Sequence, residues 1–523
     1  VQYTGFGPTR ELETFLIWNR ARSLDDFIHG LRFFDFGSQN WTYSDTRGNI
    51  AYFTSAEMPV REDLQAMTVN GAPPWFIRDG VNGGNEWLPV QNPQPGQALP
   101  FEILPAAEMP HTINPAAGWF INANNDPAGN TLDNDPLNQL RPGGGIYYLS
   151  PGYDGFRAGR LTQVLREKLA GGGKVSLDDM KEMQADVTLI DAQVFTPHIA
   201  GALNRAMAED AVAELAAFAD DPELVEAAGR LAAWDFSTPT GILEGFDSGD
   251  LHGSLSMPDA YEIDSSVAAT LYAVWRGRMI GNTIDATMAG YGLPSPPSTL
   301  AVSALRNMMD LFPVLQGYGG SGLNFFHVEG VDDPMDRRDI LILQRLRDGL
   351  DLLACDTFEP AFALSTNQDD YRWGKLHRLV LDHPLGPPFS IPPALGGFPA
   401  PLEGLPGIPT DGGFGVPDAS HHNSRAASAN AFMYGSGPNN RFVAEGEHRG
   451  MRAESNWPGG ISGIPGPFYA NLLPSWLTND TIPLFLRNGD LVRNTISVIK
   501  FVPDKGGRYR AYRHKPNQGR PAR

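Results

Sequence analysis

Cysteine is almost missing from this chain of 523 residues: Cys355 stands alone. A single thiol excludes an intrachain disulfide framework and any metal site built from several thiolates. It falls inside a helical pattern from Arg337 to Asp356, where a buried structural thiol is expected rather than a nucleophile. Long apolar runs are missing too. Stretches such as Ile340 to Leu343 are bounded by polar residues, far short of the roughly 20 apolar residues that a membrane span needs. Basic residues are scarce: 40 Lys and Arg against 60 Asp and Glu leave a net charge of -20. Such a field repels phosphate backbones and anionic lipid, so nucleic acid is not an expected partner. The first residues, Val1-Gln2-Tyr3-Thr4-Gly5, are neither a signal peptide nor an initiator Met and read as cut from something longer; the lack of a leader therefore says nothing about export. Gly317 to Gly322 has no Lys after it, which argues for a turn and against a phosphate loop. No GxSxG elbow and no repeat of fixed period stands out.

What is present reads as a globular α+β protein, with 41% hydrophobic and 19% charged residues. Glu11 to Arg22 has helical spacing, and Ser23 offers an N-cap to a second helix with Asp26 at the third position. Two β-rich runs, Asn40 to Asp45 and Ile50 to Phe53, flank a Gly/Asn turn and predict a hairpin. Residues 70 to 118 are rich in Pro and Gly and read as an ordered loop with short strands. Helical patterns follow at Phe156 to Leu169, Ser176 to Ala185, Leu189 to Ala208, Ala211 to Phe218, Val267 to Ile280 and Arg337 to Cys355. Beyond Tyr371 short strands alternate with loops, and Lys505 to Arg523 reads as a mobile basic tail. These shifts divide the chain into a β-rich segment (1–155), a mainly helical one (156–356) and a strand- and loop-rich one (357–523). Strands at both ends with helices between argue for one sheet system assembled from distant segments.

Four stretches, in order, resemble the penicillin acylase family of N-terminal-nucleophile hydrolases. They are Trp41 to Tyr52; Gly118 to Pro127 with Thr131 to Asp135; Tyr371 to Arg378 with His383 to Gly386; and Asn439-Asn440-Arg441 through Pro458-Gly459-Gly460 to Gly463. The resemblance implies a four-layer αββα sandwich carrying a large helical segment. It implies an amidase that hydrolyses a linear amide in a small N-acyl compound through an acyl-enzyme, working in the periplasm or outside the cell without an organic cofactor. In this family an N-terminal Ser, Thr or Cys supplies both hydroxyl and base, because its free α-amino group can take the proton. Val1 cannot do this. The resemblance places the nucleophile and a small subunit upstream in the same precursor, which would be this chain's partner.

By the motif, Asn124 matches the side-chain donor of the oxyanion hole, and Arg157 matches an arginine that orders the nucleophile region. Asn122 and Asn125 are expected to bond backbone in a tight turn. Arg160, on the same helix face, is expected to be an ordinary surface residue. Asp133 and Asp135 resemble the acidic position that contributes to a structural calcium ion; calcium takes six to eight oxygens, so they would form only part of that site. Gly37-Ser38-Gln39-Asn40 superficially resembles the family's cleavage junction. Ser38 is disfavoured as a nucleophile because Trp41 to Tyr52 fits the later hairpin better. His421-His422, with His377 and His383, does not have zinc-ligand spacing and reads as loop composition, with His377 packing beside Trp373 in a strand. From another class, a catalytically silent relative that keeps the scaffold as a binding or structural protein would fit as well, although Asn124 argues against it.

Overall fold

A computed structural model describes residues 2–393, 402–448, 450–503 and 509–514. Its N-terminal part is built on helices α1 (Glu11–Trp18) and α2 (Leu24–Leu31), followed by strands β1 (Gln39–Ser44) and β2 (Ile50–Ser55). The helix expected to reach Arg22 stops at Trp18. Ser23 then caps α2, its hydroxyl accepting the Asp26 amide at 3.1 Å. The hairpin forms as the sequence predicts, Trp41 facing Phe53 and Thr42 facing Tyr52. Its turn is closed by the Asp45 carboxylate, which accepts the amides of Arg47 and Asn49 at 2.8 and 3.1 Å, while Gly48 supplies the left-handed residue at φ 86°. The 70–118 region is a loop with isolated bridges, ending in β3 (His111–Ile113), which pairs antiparallel with β2. The aromatic rings of Trp18, Phe27 and Trp41 seat both helices on one face of the sheet.

Helices then dominate: α3 (Phe156–Leu169), α4 (Leu177–Gln184), α5 (Ile190–Ala206), α6 (Pro222–Ala233), α7 (Ala260–Ile280), α8 (Ser298–Asp310) and α9 (Pro334–Leu353). α4 begins with the reciprocal capping of Ser176 and Asp179. α7 is buried without a break from Ser265 to Gly277, so it has no solvent face and forms the axis on which α5, α6 and α9 pack. Ala211 to Phe218 yields only the single α-turn Ala213–Ala216 followed by a 3-10 turn, too short to support a full helix. α9 ends at Leu353, so Cys355 lies in the turn beyond the helix; it is half-buried rather than buried, with its Sγ 3.2 Å from the Thr357 hydroxyl.

After α9 come the two-residue ladder β4 (Arg378–Leu379) with β5 (Ile408–Pro409), then a three-stranded antiparallel sheet of β6 (Arg441–Glu447), β7 (Gly450–Asn456) and β8 (Ile482–Leu484). β9 (Val498–Pro503) pairs with β10 (Tyr509–His514), so part of the basic tail is a strand; its remaining residues lie outside the described ones. A small second core of Phe246, Leu379, Ile408, Leu473 and Trp476 ties these strands together. The Gly317 to Gly322 run is a turn, with Gly317 at φ 89° and Gly322 at φ 80°. No helix among the described residues is long and apolar enough to cross a membrane.

Candidate active site

The loop after β3 carries Asn122 to Asp126 and is held from three sides. Asn122 donates its amide to the Tyr52 hydroxyl at 3.3 Å, and that hydroxyl donates to Asn40 Oδ1 at 2.6 Å, which anchors the loop to the hairpin. Asn125 Oδ1 accepts the Ala123 amide at 2.9 Å. The Asp126 carboxylate accepts the amides of Ala128, Gly129 and Thr131 and the Thr131 hydroxyl, which hold it below the usual carboxylate range despite partial burial. Asn125 thus has the turn role its sequence suggests, whereas Asn122 does more. The Tyr52–Asn40–Asn122 chain is not visible in the sequence, because it joins three segments through side chains alone.

Asn124 sits at the tip of this loop at φ 59°, a left-handed conformation that Asn tolerates better than most residues. Arg157, in the first turn of α3, donates Nη2 to Asn124 Oδ1 at 2.7 Å. Arginine has only donors, so the amide oxygen must face it, and Nδ2 is left as a donor without a protein partner among the described residues. Asp154 accepts the Phe156 amide at 3.0 Å and its charge faces Arg157. Burial pushes Asp154 up from the ordinary carboxylate range, and burial likewise pulls Arg157 down. Asn124 lines a cavity of about 180 Å³ with Ser38, Asn40, Thr54, Met58 and Tyr153. Burial pushes the Tyr153 hydroxyl up to about 12, so it is a neutral donor there.

The other candidates lie apart. Ser38 also lines this cavity, directly after Gly37 at φ 87°. Arg160 pairs with Asp186 at 2.8 Å, a structural contact. Asp133 and Asp135 are exposed; Asp133 accepts the Asp135 amide at 3.1 Å and the Asn138 amide group at 2.6 Å, and Asp135 accepts the Leu137 amide at 3.0 Å. Among the described residues no group of three or more His, Cys, Asp or Glu could hold a metal ion. These two carboxylates, already closing a turn, do not by themselves make a calcium site.

His421 and His422 lie in a loop, as expected, but His422 and His377 are buried and bonded. His422 is buried with its Nε2 3.1 Å from the Arg276 guanidinium, and Arg276 is paired with Asp191 at 2.8 Å. His377 is buried and stacks on Trp373 at 5.3 Å, as expected, although Trp373 stands in a 3-10 turn and not in a strand. Its two nitrogens lie 2.9 and 3.1 Å from the carbonyls of Thr410 and Ser420, while burial lowers its proton affinity. These groups brace the buried 411–422 loop, whose Phe414 packs on Phe156 at the start of α3.

The fold is similar to that of a solved thermostable penicillin G acylase from Alcaligenes faecalis, at a TM-score of 0.52 and 15% identity, covering 94% of this chain and 73% of that one. The family model for penicillin amidase matches residues 1–492. On that match over nearly its whole length, the chain belongs to the penicillin amidase family.

Proposed function

We propose that this chain supplies oxyanion stabilisation to an amidase that cleaves an N-acyl compound through an acyl-enzyme. Negative charge builds on the substrate carbonyl oxygen as the tetrahedral intermediate forms, and a fixed N–H aimed at it lowers the barrier. The observation that carries this reading is the 2.7 Å bond from Arg157 to Asn124 Oδ1, which turns Nδ2 away from the protein as a free donor beside a cavity. The attacking hydroxyl, with its own α-amine as base, would come from another segment of the same precursor, since the hairpin directly after Ser38 matches one that the family places later than its nucleophile. In that assembly the two three-stranded sheets would form part of a four-layer αββα sandwich. A calcium ion at Asp133 and Asp135 would need most of its oxygens from outside these two residues. Release outside the cytoplasm, in the periplasm or beyond, fits the family.

The test is the Asn124→Ala variant of the full processed precursor, assayed with a chromogenic N-acyl anilide. Turnover is expected to fall by about two to three orders of magnitude with the fold intact by circular dichroism. Near-normal turnover would remove Asn124 from the mechanism.

A further inference from the structure

A second cavity, of about 330 Å³, lies between α2, strands β2 and β3 and the 94–110 loop. Its walls are apolar, from Ile28, Phe34, Phe53, Ile103, Leu104 and Met109, and its volume is at the lower end of the about 300–1,000 Å³ typical of small-molecule sites. The polar side chains around it are nearly all engaged. Thr54 donates to the Pro110 carbonyl at 3.2 Å, and Ser55 accepts the Trp41 indole N–H at 2.7 Å. Glu57 accepts the amides of Ala98 and Leu99 at 2.6 Å each, which turns its carboxylate toward the 94–110 loop. Gln97 donates to the carbonyls of Leu99 and Phe101, and Gln94 to that of Asn92. His111 Nδ1 bonds the Met109 carbonyl at 2.7 Å, which makes its other nitrogen an acceptor in the neutral ring.

Arg32 is the exception. Its backbone ends α2 and packs against Gly96, where an added Cβ would lie 3.0 Å from the Arg32 carbonyl oxygen. Arg32 is one of the lining residues and is exposed to solvent, and its guanidinium has no hydrogen-bond or ion-pair partner among the described residues. An apolar chamber with one unpaired cation at its edge matches an amphipathic anion: the tail is removed from water and the head meets the guanidinium fork.

We propose that this cavity binds a medium-chain aliphatic carboxylate, its tail among Phe34, Phe53, Ile103 and Leu104 and its carboxylate on Arg32. It is a site distinct from the cavity at Asn124, with which it shares Thr54, Met109 and Pro110 as a common wall. The proposal does not depend on the amidase reading.

The test is calorimetric titration with hexanoate, octanoate, decanoate and 1-octanol. Affinity is expected to rise about fourfold per added methylene and to fall for the alcohol. Arg32→Glu, at an exposed position, should weaken octanoate by about tenfold or more while the circular dichroism spectrum is unchanged. Octanoate should bind Asn124→Ala as it binds the unaltered protein. Affinity independent of chain length, or unaffected by Arg32→Glu, would overturn the proposal. So would loss of octanoate binding in Asn124→Ala, which would place the acid in the other cavity.

Discussion

Asn124 has no side-chain hydrogen bond in its own loop to fix which end of its amide faces outward; that choice is made by Arg157, 33 residues away. In the proposed mechanism Arg157 acts as a positioning residue, so its removal should show in turnover rather than in substrate affinity. A charge-assisted hydrogen bond is worth about 1.5–3 kcal/mol, so Arg157→Ala is expected to lower kcat by about ten- to a hundredfold. KM should change little, and Arg157→Lys, which keeps one charged donor, should recover part of the loss. Because both residues act through one amide, the losses should not add: in an Asn124→Ala background, Arg157→Ala should cost little more. Steady-state kinetics of the four-member cycle checks this, and fully additive losses would mean that Arg157 acts independently of Asn124.

At the level of elements, the helical layer is locked where α5 crosses α7. Asp191 and Arg276 Nη1 meet at 2.8 Å with their side chains 2% and 0% exposed, and His422 Nε2 lies 3.1 Å from the other amino group, Nη2. Removing one member of a buried pair leaves the other charge without compensation, at a cost of about 3–5 kcal/mol. Asp191→Ala should therefore lower the melting temperature strongly, and urea denaturation should show a loss of that size, while Lys168, paired with half-buried Asp179 and exposed Glu182, can be replaced with little effect. The contrast shows what the sequence could reveal. The hairpin and α4 were readable because their determinants are local: the Asp45 to Asn49 turn in one case, Ser176 and Asp179 in the other. The Asp191–Arg276 pair is not readable, because its partners are 85 residues apart and each looks like an ordinary helix charge. The same limit explains His422. His421 and His422 are neighbours in sequence, but only the tertiary fold buries one of them against Arg276 while the other packs on Phe414. Asn124 and Arg157 were each identified by motif; their contact depends on the path of the intervening chain.

For the whole molecule, acidity acts in two places. The chain carries a net charge of -20, and within it half-buried Asp247 and buried Asp411 lie where the 240–250 and 408–411 segments meet. Asp247 accepts the amide and hydroxyl of Thr240 at 2.7 and 2.6 Å, and Asp411 accepts the amide and hydroxyl of Ser248. Those donors favour the charged forms, but burial and the facing charges of Asp250 and Glu262 outweigh them, and Asp247 is raised from 3.8 to about 7. The direction of the pH effect follows. A carboxyl whose proton affinity is higher folded than unfolded makes the native state the more protonated one, so stability is greatest below the unfolded value near 3.8 and declines as pH rises toward 7. While only the unfolded form has lost the proton, the decline is about 1.4 kcal/mol per pH unit. Surface repulsion adds a slope of the same sign but is screened by salt, whereas the buried term is not. Urea denaturation from pH 4.5 to 8 in high salt should therefore keep most of the slope in the unaltered protein and lose much of it in Asp247→Asn, whatever the substitution does to absolute stability. An unchanged slope in that variant would assign the pH dependence to the surface charge instead.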